Sequence, residues 1–147
     1  MLEDFEEQQI KLSIINDNKE LMMTTETKMP IAIFSSAIFN EKKVFAEYEA
    51  KFKNILKEFD PNKYEISIGK LKNKLFIDFV QKLGYEVNII AQHPKSLENS
   101  NKKIIKDHEL MLFFIYDKSS IMMKLLIFAQ TFSEKIVVPL YYMRSND

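Results

Sequence analysis

The chain of 147 residues contains no cysteine. Disulfides, zinc–thiolate sites and thiol nucleophiles are therefore excluded. Its only histidines are His93 and His108, too few for a multi-histidine metal centre. No apolar run approaches the roughly 20 residues needed to cross a bilayer. The N-terminal stretch MLEDFEEQQ is acidic and lacks the charged-then-apolar order of a secretory signal. The expectation is a soluble, cytoplasmic protein with no membrane partner. Neither sign of charge is in excess, since 21 Lys and Arg balance 21 Asp and Glu. General nucleic-acid binding draws most of its affinity from a net basic surface, so this balance argues against it. A local basic patch is not excluded. Glycine is scarce, with Gly69 and Gly84 the only two.

What the chain does have is apolar residues, 46% of the total, in a length that suits one domain with a sizeable core. Short runs rich in β-branched and aromatic residues alternate with amphipathic stretches. IAIFSSAIF (31–39) reads as a strand. In EKKVFAEYEAKFKNILKEF (41–59), Val44, Tyr48, Phe52, Ile55, Leu56 and Phe59 fall on one helical stripe. Asn40 stands where it can cap that helix. YEISI (64–68) alternates like a strand. KLKNKLFIDFVQKLG (70–84) carries Leu71, Leu75, Phe79 and Leu83 on one face and ends on Gly84 as a C-cap. YEVNIIA (85–91) is a third strand, closed by His93-Pro94, and a short helix is expected around Asn101 to Lys106. LMLFFIY (110–116) is continuously apolar, as a central parallel strand covered on both faces should be. SSIMMKLLIFAQTF (119–132) reads as a helix apolar nearly all round, to be deeply buried or placed at an interface. IVVPLYY (136–142) is the last strand, and Pro139 suggests a sheet edge.

Residues 31 to 142 thus read β-α-β-α-β-α-β-α-β. Such alternation implies an α/β fold, here a Rossmann-like three-layer sandwich with a mainly parallel five-stranded sheet. Residues 30–147 are expected to form this domain. Residues 1–29 are expected to add a β-hairpin or arm, because IKLSII and ELMMTT flank the turn sequence NDNK. A helix through residues 2 to 12 is the competing reading.

Ligands of such sheets bind beyond the carboxyl ends of the strands, where the strand order reverses. The residues there are Ser35, Ser36 and Asn40 after the first strand, then Gly69, Lys70, Lys72, Asn73 and Lys74 after the second. Gln92 and His93 follow the third strand, and Asp117, Lys118, Ser119 and Ser120 the fourth. Tyr141, Tyr142 and Arg144 follow the fifth. GKLKNK sets three lysines at the start of a helix, against the positive end of its dipole. An anion there would remove the conflict. The bland alternative is a solvated turn whose lysines point outward. DKSS offers two hydroxyls at another helix start, as ligand donors or as an ordinary N-cap. Ser35 and Ser36 stand where a glycine-rich phosphate loop is common, to bind a phosphate or simply to turn the chain. His93 reads as a loop residue with no nameable acid–base partner, and His108 as solvent-facing.

The order of elements and three segments resemble the SLOG superfamily of Rossmann-like domains. IAIFSSAIFN is similar to that family's first strand and its Ser-containing turn. EISIGKLKNKLFIDFVQKLGYEVNIIAQHP resembles its second unit, and LMLFFIYDKSSIMMKLLIFAQTFSEKIVVPL its last. The resemblance implies a nucleotide-type phosphate pocket at the strand ends and self-association as a homodimer. The family's phosphate turn normally carries several glycines, of which Gly69 alone is kept. Its hydrolases carry a PGGxGTxxE-type signature that DKSSIMMKL lacks. Nucleoside deoxyribosyltransferases are a more distant resemblance, and their nucleophilic glutamate has no counterpart in 118–133.

The expectation is therefore a non-catalytic domain that binds a nucleotide or nucleotide-derived phosphate. Its ligand-binding residues would be Ser35, Ser36, Gly69, Lys70, Lys72, Ser119 and Ser120. No catalytic residue, metal or cofactor is expected, and no nucleophile–base pair is visible. The alternatives are a protein-interaction role with a degenerate pocket and a small nucleoside or nucleotide hydrolase.

Overall fold

The computed structural model describes residues 27–117 and 119–143. The expected N-terminal hairpin, Lys118 and Arg144 lie outside them. Five strands form one sheet: β1 (Met29–Ser35), β2 (Tyr64–Gly69), β3 (Val87–Ile90), β4 (Leu110–Tyr116) and β5 (Ile136–Tyr142). Every pairing is parallel and the spatial order is β3-β2-β1-β4-β5. Helices α1 (Lys42–Leu56), α2 (Lys74–Lys82), α3 (Leu97–Lys106) and α4 (Ser120–Gln130) connect them. The fold is a Rossmann-like α/β sandwich with an all-parallel sheet.

The two faces of the sheet bury different chemistry. Helices α1 and α2 cover an aromatic layer in which Phe52 meets Phe39, Phe45, Phe76, Phe114 and Tyr142 at ring centroids of 4.8–5.4 Å. Helices α3 and α4 cover a layer built from Ile104, Ile105, Met111, Ile115, Met122, Leu125, Leu126 and Ala129. One stacked pair, Phe34 and Phe113 at 4.7 Å, joins them. β4 is buried on both faces except at Tyr116, as its unbroken apolar run requires. Among the described residues, β5 is an edge strand. Ile136 N bonds Glu109 O, so the even-numbered residues of β5 turn their backbone toward β4. Pro139 lies on the other set, so its missing N–H costs no ladder bond to β4.

Four expectations change. Helix α2 starts at Lys74, not at residue 70, because Lys72 adopts φ 61 and breaks the helical path. Helix α3 starts earlier than expected, at Leu97, because Pro94 opens a 3₁₀ turn (Pro94–Ser96) that leads directly into it. Asn40 does not cap α1. Its Oδ1 instead accepts from Leu75 N at 3.1 Å and caps α2. His108 is not solvent-facing but 7% exposed. Its Nδ1 donates to the Ile104 carbonyl at 2.7 Å, closing the end of α3. Helix α4 is buried through Met122, Leu125, Leu126 and Ala129, while Ile121 and Ile127 remain 67% and 60% exposed.

Candidate functional site

The strand order reverses between β1 and β4: the chain first moves outward through β2 and β3, then crosses to the other side of β1. A recess of about 90 Å3 lies at this switch point. Its floor is the end of β1 and β2, with Phe34, Ser35 and Gly69. One wall is the turn of Leu71, Lys72 and Asn73, and the other is formed by α3 and the start of α4. A buried water needs roughly 10–15 Å3 of such space. The recess therefore admits several waters or one phosphoryl-sized group, with the remainder of a larger ligand extending through the mouth.

Two chains of hydrogen bonds organise the polar lining. The Ser35 hydroxyl donates to Asn73 Oδ1 at 2.9 Å, and Asn73 Nδ2 donates to the Gly69 carbonyl at 2.8 Å. This second bond pins the turn after β2 and holds Asn73 at the N-cap position of α2 without a side-chain cap of its own. In the other chain, Leu71 N donates to Gln92 Oε1 at 3.1 Å. Gln92 Nε2 then donates to Asn101 Oδ1 at 2.7 Å. Gly69 is essential to this arrangement, since a Cβ there would sit 2.3 Å from Gln92 Oε1. Glycine at 69 makes room for a side chain of the protein itself.

The sequence-derived candidates divide. Ser35, Gly69, Lys72 and Ser119 line the recess. Ser36, Lys70 and Ser120 do not. The Ser36 hydroxyl accepts from Tyr116 N at 2.9 Å, while Ser36 N donates to Phe114 O at 3.0 Å, so this serine ties β1 to β4. Lys70 is exposed and contributes its backbone N–H to Ile90 O. Ser120 begins α4 on its exposed side. Ser119 is the N-cap residue of α4, yet its side chain makes no capping bond. Of the strand-end residues, Asn73 and Gln92 were visible but carried no signal. Asn101 and the apolar Leu97, Ile121 and Met122 lie inside helices and were missed. The spacing from Gln92 to Asn101, one turn plus a helical turn after Pro94, is the one sequence signal that connects them.

The lining is electrostatically simple. Among the described residues of the lining, Lys72 is the single ionisable side chain, and no carboxylate or histidine joins it. Among the described residues, no group of three or more His, Asp or Glu could hold a metal ion. His93 is exposed in its loop, where Nδ1 accepts from Lys95 N at 3.2 Å. Among the described residues, no helix is long and apolar enough to cross a membrane. Comparison with protein-family models, curated proteins and solved structures finds no match to this chain.

Proposed function

We propose that this protein is a non-catalytic Rossmann-like module that binds a nucleotide or nucleotide-derived phosphate at the carboxyl ends of its strands. One observation carries the reading: a recess at the β1–β4 switch point in which Lys72 is the only ionisable residue among the described lining residues. Ser35, Asn73, Gln92, Asn101 and Ser119 add neutral hydrogen-bonding groups. Among the described residues the lining offers no nucleophile next to a base and no carboxylate pair, which argues for binding over hydrolysis. Kinship with the SLOG superfamily and a cytoplasmic setting belong to the same proposal and rest on element order and composition.

A thermal-shift screen against nucleotides, cyclic nucleotides, NAD, ADP-ribose and ribose phosphates tests it. A ligand that binds only the folded state adds about 2.7 kcal/mol at a hundredfold excess over Kd. The expected result is a shift with one phosphate-bearing class that disappears in Lys72→Ala. A shift unchanged in that variant would move the site elsewhere, and a flat screen would contradict the reading.

A second reading has its own observation. Ile121, which also lines the recess, and Ile127 are exposed on α4, with the exposed Lys124 between them. We propose that this face supports a homodimer. Sedimentation should then give a dimer that Ile127→Lys converts to monomer, and a monomeric wild-type profile would contradict it.

A further inference from the structure

We propose that the recess is a phosphoryl-oxygen site whose donors are set by a carboxamide relay running from Leu71 N–H through Gln92 to Asn101. The inference rests on the ligand-binding reading and names the part of the ligand that enters.

The relay has only one direction. A backbone N–H can only donate, so the Gln92 atom facing Leu71 N is the oxygen. Nε2 is thereby turned toward Asn101, which must meet it with Oδ1. Asn101 Nδ2 then holds two N–H groups with no acceptor among the described residues. The other chain is fixed in the same way. The Gly69 carbonyl can only accept, so Asn73 presents Nδ2 to it and Oδ1 to the Ser35 hydroxyl. Among the described residues, one N–H of Asn73 and one of Gln92 have no acceptor. The Ser119 hydroxyl, which caps nothing, and Lys72 complete the set. Each of the three carboxamide oxygens already accepts one bond, so the groups with no partner among the described residues are the carboxamide N–H donors, the Lys72 ammonium and a hydroxyl that can donate.

A donor-rich recess selects a group that only accepts, and phosphoryl oxygens do so with charge assistance. The volume of about 90 Å3 matches such a group better than a base with its sugar. Glycine-rich loops meet phosphate with backbone amides. Here the space freed by Gly69 is filled by Gln92, and side-chain carboxamides take over that task. This accounts for a phosphate recess in a chain with so few glycines. Free phosphate and the phosphate of a sugar or nucleotide share the chemistry.

Nitrogen-15 NMR of the full chain reads the relay directly through its side-chain NH2 signals. The probes are inorganic phosphate, ribose 5-phosphate and ribose. The Asn101 NH2 pair should shift saturably with both phosphates and not with ribose. Asn101→Asp, which puts acceptors where the two N–H groups stand, should weaken ribose 5-phosphate binding at least tenfold with the backbone spectrum preserved. Gln92→Glu, which cannot donate while ionised, should draw Asn101 Nδ2 to itself and cause the same loss. The wild-type titration stands by itself even where a variant fails to fold. If phosphate moves the backbone signals of Lys72 and Ser119 while Asn101 NH2 stays still, the relay is wrong and the binding reading survives. If no signal moves with either phosphate, both are wrong. Equal shifts with ribose would overturn phosphoryl selection alone.

Discussion

The two ends of the sheet are built on opposite principles. At the amino end, where α1, α2 and α3 finish, free carbonyls are met by dedicated groups. The Tyr85 hydroxyl donates to Leu56 O at 2.7 Å and also to Phe59 O, closing α1. Gly84, at φ 97, turns the chain out of α2. His108 and Lys135 close α3, with Lys135 Nζ donating to Lys106 O at 3.0 Å and His108 O at 2.7 Å. At the carboxyl end, none of the four described α-helices receives a cap from its own N-cap side chain. Asn40 caps α2 from the turn after β1. The other polar side chains there bond to one another, to strand ends or to turn backbone, and donors remain. Lys72 and Asp117 also hold positive φ at this end, at a cost of about 1 kcal/mol each that an unconstrained turn avoids. Stability is built at one end, and unused hydrogen-bonding capacity is kept at the other.

Substitutions at the two ends should separate accordingly. The largest effect is expected from Lys135→Met. The Lys135 side chain is 5% exposed, and its loss removes charge-assisted bonds to two carbonyls, of which His108 O is part-buried, costing about 2–3 kcal/mol. Urea unfolding should register this with ligand binding intact; a cost below about 0.5 kcal/mol would remove Lys135 from the account. Tyr85→Phe follows, at about 1–2 kcal/mol, and it carries a pH signature. Burial, with a smaller contribution from the Asp60 carboxylate, pushes the Tyr85 hydroxyl up from 10.0 to about 12. A folded-state value above the unfolded one means the contribution is complete below pH 10 and fades as pH rises toward 12. Stability measured across that interval should fall more steeply in wild type than in the variant, and parallel curves would contradict the assignment. Gly69→Ala has the smallest effect on stability, about 1 kcal/mol, because the obstructing atoms are the mobile end of Gln92. It should nevertheless displace Gln92 from Leu71 N–H and weaken ribose 5-phosphate at least tenfold. Unaltered affinity would show that the position of Gln92 does not matter to the ligand.

Much of the fold was legible because parallel strands buried on both faces read as unbroken apolar runs. LMLFFIY and IVVPLYY coincide with β4 and β5 to the residue. Helix starts were less legible. Nothing in GKLKNK shows that Lys72 takes a left-handed conformation, and that one dihedral delays α2 to Lys74. The same dihedral separates Lys72, which lines the recess, from Lys70, which does not. Serines proved equally hard to sort. Ser35 and Ser36 are adjacent, yet Ser35 ends β1 with its hydroxyl on Asn73, while the Ser36 hydroxyl, at the start of the next turn, accepts from the backbone of β4. Asn101 was invisible because its role arises from a side chain reaching across from Gln92, and the turn at Pro94 that brings the two together is itself tertiary geometry.

The most direct test of the contrast between the two ends is a calorimetric titration of ribose 5-phosphate into wild type, Lys72→Ala and Lys135→Met. Wild type and Lys135→Met should bind with the same Kd, although the second is clearly less stable. Lys72→Ala should lose binding at almost no cost in stability. Loss of binding in Lys135→Met at a temperature where it is fully folded, or retention in Lys72→Ala, would contradict the account, as would a wild-type protein that does not bind.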